Sequence, residues 1–240
     1  MKAAVIVIGN EILTGKFADA NGPFFIRRLR ELGVPLVRLV TIDDDLDAIA
    51  DEVRRCSTLA DVVFTTGGVG PTHDDLTFEG VARAFGVELT VHSGLVRVLE
   101  GFGLPADEAN LRMCTLPEGA VLLDHPEIRF PTVRVKNVYV LPGIPKLVVS
   151  KFEAIAPTLT GTPVHTARLY CDAYESQIAG ELTAIAQAHP AVSIGSYPRT
   201  GDEPYKVLLT LESTSTEALA NCVRALVDAG LGQQDPFGAP

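Results

Sequence analysis

Tryptophan is absent from the 240-residue chain, methionine occurs twice and cysteine four times. Cys56, Cys114, Cys171 and Cys222 stand far apart with no CxxC pair. That spacing excludes a zinc ribbon and a dense disulfide framework, and fits small buried hydrophobes in a reducing compartment. Long apolar runs are missing too: nothing approaches the roughly 20 residues needed to cross a bilayer. The opening MKAAVIVIG passes straight into polar Gly9-Asn10-Glu11 without a cleavage pattern. A cytoplasmic location and no membrane partner are expected. Basic residues are the scarcer charge, 20 Lys and Arg against 30 Asp and Glu, for a net charge of −10. Phosphate backbones and anionic lipid repel such a surface, so nucleic acid is not an expected partner. A small phosphorylated ligand stays compatible if a local cavity or a cation supplies positive charge.

What is present is globular: 47% of residues are hydrophobic and 21% charged. Residues 3–8 form a continuous apolar run, as in a strand buried on both faces. Helical spacing follows over residues 19–32, with Phe24, Phe25, Leu29 and Leu32 on one side and Gly33 as the stop. Further strands are predicted over 34–42 and 61–66, and further helices over 44–59 and 76–85. This alternation implies a parallel sheet with right-handed crossovers. The middle predicts short strands near 88–90 and 121–123. A hairpin turns at Lys136-Asn137, and a helix follows from about 146 to 155. After a Pro- and Gly-containing linker, residues 164–229 read as βαββα. The expected organisation is a main domain over 1–160, a small unit over 161–230 and a frayed tail over 231–240.

In parallel sheets, ligands bind beyond the carboxyl ends of the strands. Two distinctive loops leave such ends. Thr65 to Asp75 reads TTGGVGPTHDD. Its glycines allow a tight turn and expose backbone N–H groups, and the following helix N-terminus favours an anion. It is neither a Walker loop nor GxGxxG. Two readings stand for it: a strand-to-helix turn with Asp75 as the helix cap, or a phosphate loop. One carboxylate is enough for a cap. Asp74 and Asp75 together would repel phosphate unless a cation lay between, and Mg²⁺ commonly bridges carboxylates and substrate phosphates. His73 is either a ligand or solvated. The second loop, residues 9–21, carries Glu11 facing the same space, Asp19 as a natural N-cap and Lys16, which either reaches a phosphate or is solvated. Asp43, Asp44 and Asp45 offset a helix macrodipole, or one of them joins the site. Residues 141–145 (LPGIP) form either a pocket wall or a plain connector. No GxSxG motif is present, and none of the four cysteines sits in an obviously electropositive loop, so nucleophilic catalysis finds little support.

The stretches IGNEILTGKFADAN, TTGGVGPTHDDLT, NLRMCTLPEGA and VLPGIP, in this order, resemble the molybdopterin-binding (MoaB/MogA-like) domain family. Among its branches the chain is similar to the amino-terminal part of CinA-like, competence/damage-inducible proteins and to the domain fused to FAD synthases. The resemblance runs from residue 1 to about 157, and more weakly through the C-terminal unit. It implies an α/β three-layer α/β/α sandwich with a mostly parallel sheet, a small C-terminal α/β unit of KH-like type, and assembly as a dimer or trimer. It also implies that Asp75 matches the family's reactive aspartate, and that the domain is a divalent-metal-dependent pyrophosphatase of ADP-ribose or FAD class. The alternative is a non-hydrolytic molybdopterin or nucleotide module of molybdenum-cofactor metabolism. Where CinA-like members carry a GTAPG-like stretch, this chain reads HPEIRFPTV, as in the FAD-synthase branch. No deamidase unit follows within the 240 residues, so nicotinamide-mononucleotide deamidation is not expected.

The residues and the resemblance together nominate Asp75 and Asp74 as catalytic. Thr66, Gly67, Gly68, Gly70, Pro71, Thr72, Asn10 and Gly143 are nominated for the phosphate. Asp75, Asp74 and Glu11 are nominated for a metal: Mg²⁺, Mn²⁺ or Co²⁺, with potassium as a further candidate. The expected partner is a small nucleotide or pterin phosphate.

Overall fold

The computed structural model describes residues 1–126, 128–201 and 203–234. The chain divides into two compact units, Met1–Gly161 and Thr162–Pro240. The first runs β1 (Ala3–Ile8), α1 (Asn10–Leu13), α2 (Asn21–Glu31), β2 (Leu36–Ile42), α3 (Leu46–Leu59), β3 (Val62–Thr66) and α4 (Thr77–Phe85). It continues through β4 (Leu89–Val91), α5 (Ser93–Gly101), α6 (Glu108–Cys114), β5 (Thr115–Pro117), β6 (Val121–His125), β7 (Ile128–Val135), β8 (Val138–Leu141) and α7 (Pro145–Ile155).

Six strands form one sheet in the order β2-β1-β3-β8-β7-β6. The β2, β1, β3 and β8 pairings are parallel, and β7 and β6 complete it antiparallel. All six residues of β1 are buried because helices cover both faces. Ala3, Val5 and Val7 meet Phe25 and Leu29 of α2 and Phe152 of α7 on one side. Ala4, Ile6 and Ile8 meet Ile49 and Val53 of α3, Val81 of α4 and Leu95 of α5 on the other. The result is a three-layer α/β/α arrangement. Phe25, Phe64 and Phe152 pack with ring centroids 5.2–5.3 Å apart, which pins α2 and α7 to the sheet.

Several boundaries differ from the sequence reading for local reasons. Helix α2 starts at Asn21, because Asp19 stands outside it and accepts the amides of Asn21 (2.8 Å) and Gly22 (3.0 Å). Helix α3 starts at Leu46, capped by Asp45, whose carboxylate accepts the Ala48 amide at 2.9 Å. Asp75 does not cap α4: that helix has no side-chain cap, and the Asp75 carboxylate accepts the Thr72 amide instead, at 2.8 Å. The short strands expected near 88–90 and 121–123 are present as β4 and β6, and helices α5 and α6 stand between them, where no element was expected. Their signals were present, in the buried Leu95–Leu99 pair one turn apart and the caps His92 and Asp107.

The second unit runs β9 (His165–Cys171), α8 (Glu175–Ala188), β10 (Ser193–Pro198), β11 (Val207–Ser213), α9 (Thr216–Asp228) and β12 (Gln233–Gln234), with an antiparallel sheet ordered β10-β11-β9-β12. Its core joins Leu169, Leu209 and Leu211 to Ile178, Cys222 and Leu226. The segment 231–234 is not frayed as expected. Leu231 is buried in this core, and Gln233 and Gln234 pair with Tyr170 and Leu169. Residues 235–240 of the expected tail lie outside the described residues. All four cysteines are free and buried. Among the described residues no helix is long and apolar enough to cross a membrane.

Candidate functional site

At the carboxyl ends of β1, β3 and β8 lies a cavity of about 1110 Å³. Glu11, Asp19, Asn21 and Asp44 enter it from the loops after β1 and β2; Thr66, Gly67, Gly68, Gly70, Asp74 and Asp75 enter from the loop after β3. Pro142 to Pro145 form one wall, and Phe102, Met113, Ile128, Phe130 and Pro131 make a broad apolar surface.

The glycine loop is tightly specified. Gly67 has a φ of 101°, and a Cβ there would stand 2.0 Å from the carbonyl oxygen of Ile8. Gly68 has a φ of 60°, and its Cβ would stand 2.5 Å from the hydroxyl of Thr77. Thr77, the first residue of α4, donates its hydroxyl to the Gly67 carbonyl (2.8 Å) and its amide to the Gly68 carbonyl (2.9 Å). The first amide of α4 is therefore used inside the loop rather than offered to a ligand. The amides of Gly68, Val69 and Gly70 have no hydrogen-bond partner among the described residues. Three successive donors in a strained, left-handed turn suit an anion.

Acids crowd the same space. The Asp44 carboxylate accepts the Asn10 amide at 2.8 Å. Burial pushes the Asp44 carboxyl above its ordinary value; the Asn10 bond opposes this, and the charges of Glu11, Asp74 and Asp43 add to it. Asp74 is exposed, and hydrogen bonding within its own loop holds its carboxyl below the usual range. Asp75 lines the cavity with its carboxylate engaged by both the amide and the hydroxyl of Thr72. Among the described residues no three His, Cys, Asp or Glu side chains converge closely enough to hold a metal alone. Asp75, Asp74 and Glu11 thus share a cavity without forming a closed chelate.

Of the residues nominated from sequence, Thr66, Gly67, Gly68, Gly70, Gly143, Asp74, Asp75 and Glu11 line the cavity, whereas Asn10, Pro71 and Thr72 do not. Asn10 acts through Asp44, and Thr72 through Asp75. Lys16 stands outside, near the Phe17 ring, and the His73 side chain is 96% exposed. Of the three aspartates after β2, Asp44 is the one that joins the cavity. Two further residues were not singled out. Asn21 is buried, and its Nδ2 donates to the Thr66 hydroxyl (3.1 Å) and the Gly143 carbonyl (2.9 Å), tying two loops together. Its place beside Asp19 was visible, but its partners lie 45 and 122 residues away. Lys151 also lines the cavity, and no local pattern separates it from a solvated helix lysine.

Residues 4–161 match a family described as "Probable molybdopterin binding domain", and residues 163–233 match one described as "FAD synthase, middle domain". A protein of Archaeoglobus fulgidus is 34% identical over 201 residues, which cover 84% of this chain and 87% of that one. A "Probable FAD synthase" of Caenorhabditis elegans is 34% identical over 93% of this chain, and the match spans 49% of the worm protein, about half its length. The crystal structure of CinA from Thermoplasma acidophilum superposes with a TM-score of 0.60 at 30% identity, over 67% of this chain and 99% of that one.

Proposed function

The chain belongs to the molybdopterin-binding domain family, and from that premise we propose that it is a divalent-metal-dependent pyrophosphatase acting on a nucleoside diphosphate ester of the ADP-ribose or FAD class. One observation carries the reading: three unpartnered main-chain amides of Gly68, Val69 and Gly70 share a cavity with Glu11, Asp44 and Asp74. Donors of that kind bind phosphoryl oxygens. Carboxylates of that kind repel them unless a cation intervenes.

The donor set fits such an ion. All the side chains concerned are hard oxygen ligands, and Mg²⁺ is typically held by one or two carboxylates together with substrate phosphates rather than by a closed protein cage. Asp44 lies among like charges with no ion-pairing cation among the described residues. Asp44 and Asp74, with Glu11 beside them, would hold the metal together with the substrate phosphates, and the metal when bound would supply charge neutralisation of the diphosphate and polarisation of the phosphorus that water attacks. The loop amides orient the phosphoryl oxygens. Asp75, through Thr72, keeps the loop in shape. The apolar wall of Phe102, Met113 and Phe130 receives a flat ring and excludes water from the reacting bond.

A non-hydrolytic nucleotide or molybdopterin module is the second reading, favoured by the engagement of Asp75 within its own loop. One experiment separates the two. ADP-ribose, FAD, NAD and coenzyme A are incubated with Mg²⁺, Mn²⁺ or Co²⁺, and products are identified by chromatography. The expected outcome is cleavage between the phosphates. Asp44→Asn and Asp74→Asn should each lower turnover at least ~10²-fold and raise the metal concentration needed for half activity. Tight binding of a pterin or nucleotide with no product from any of them would select the module.

A further inference from the structure

Lys151 of α7 is 4% exposed and is the only basic side chain lining the cavity among the described residues. Its Nζ donates to the carbonyls of Phe130 at 2.7 Å and Pro131 at 2.8 Å. The third contact, to the Thr132 hydroxyl, is 3.5 Å, at the outer limit of hydrogen bonding. An ammonium has three protons to give. Two are well placed on main-chain oxygens, and the third has no good acceptor among the described residues.

A buried charge is normally paired. Here no carboxylate pairs with Lys151 among the described residues, although Glu11, Asp44, Asp74 and Asp75 line the same cavity. From α2, the neighbouring helix, Arg28 reaches α7 but bonds Glu153 at 2.7 Å. From β7 the ammonium meets the two carbonyls, the Thr132 hydroxyl and the Phe130 ring, whose centre is 5.7 Å away. Burial alone pushes its pKa down to about 8. Among the described residues, an acid-rich protein thus keeps one cation in its cavity with no partner of opposite sign.

The geometry points to Lys151 as a substrate-binding residue, whose ammonium takes a phosphoryl oxygen of the nucleoside diphosphate ester at the wall built by β7 and α7. The inference rests on the pyrophosphatase reading above. The ligand oxygen supplies both the missing acceptor and the missing counter-charge. Main-chain carbonyls of Phe130 and Pro131 hold the ammonium in place without neutralising it. Proton linkage then follows: an anion that binds the charged form raises the Lys151 pKa, and its affinity falls as pH rises through the free-protein value.

The test uses the full chain, magnesium and inorganic pyrophosphate. Lysine side-chain carbons are isotope-labelled and titrated by NMR, with Lys151→Met identifying the Lys151 signal by its loss. Adding Mg²⁺ with pyrophosphate is expected to raise the Lys151 pKa by about one unit or more, and Mg²⁺ alone is expected not to raise it. Calorimetry on Lys151→Met is expected to show pyrophosphate affinity reduced about tenfold or more, with the steep loss between pH 7 and 9 abolished. If Lys151→Met does not fold, Lys151→Arg gives the assignment by the same loss of one lysine signal, and the wild-type titration still decides. Pyrophosphate binding that leaves the Lys151 pKa unmoved overturns the inference while the pyrophosphatase reading stands. If pyrophosphate does not bind and no dinucleotide is cleaved, both fall.

Discussion

Gly67 cannot carry a side chain where it stands. Its φ of 101° and the Ile8 carbonyl 2.0 Å from a Cβ position leave neither conformational nor steric room. Gly67→Ala is therefore expected to destabilise the fold by at least ~2 kcal/mol, measured by urea denaturation, and to abolish phosphate binding with it. Gly15, with a φ of 71° and nothing near its Cβ position, marks the contrast: alanine there strains the backbone without a clash. Lys151 makes a stability prediction that needs no ligand. Its folded value of about 8 lies below the ordinary lysine value of 10.5, so between these the unfolded chain binds more protons and folding stability gains with rising pH. That contribution is present above 10.5 and is lost as pH falls through 8. The stability of wild type relative to Lys151→Met should accordingly improve from pH 8 to 10, read by denaturant midpoints; a flat difference would show that the lysine is not desolvated. The glycine requirement was legible in TTGGVGP. The lysine was not, because burial on α7 depends on how that helix lies against β7.

At the scale of elements, caps decided where helices begin. Asp45 accepts the Ala48 amide and sets the first turn of α3, leaving Asp44, one residue earlier, turned to the cavity and to the Asn10 amide. Asp45→Ala is expected to cost about 1 kcal/mol, visible in thermal melts, with little change in turnover. A loss of turnover equal to that of Asp44→Asn would mean that the two aspartates do not divide these roles. The three consecutive acids were readable as helix-end residues, but which one faced the cavity was not. Register along one turn is set by the cap bond that wins, and Asp43, Asp44 and Asp45 are chemically identical competitors for it. Helices α5 and α6 illustrate the same limit. Both are short, of nine and seven residues, and each gains its stability from packing Leu95, Leu99 and Cys114 into the core rather than from local propensity.

At the scale of the whole molecule, the two units keep separate hydrophobic cores. Every residue of the clusters around Ile6 and around Phe25 lies before Gly161, and every residue of the cluster around Leu209 lies after it. The cavity belongs to the first unit alone. Residues 1–161 expressed by themselves are expected to give a cooperative melt, and to bind Mg²⁺ with pyrophosphate within about threefold of the full chain. A non-cooperative melt would show that the first unit depends on the second.

The alternation of strands and helices over residues 3–85, the parallel sheet and the glycine loop follow from the amino-acid sequence, because hydrophobic period, glycine placement and buried apolar runs are local properties that each segment carries wherever it lies. Tertiary structure alone decided that Asp75 turns back to Thr72, that Asn21 joins Thr66 to Gly143, and that Lys151 stands buried with no carboxylate partner among the described residues. Those are contacts between residues as far as 122 positions apart, and a side chain's solvent, charge partners and protonation are set by what the folded chain brings against it.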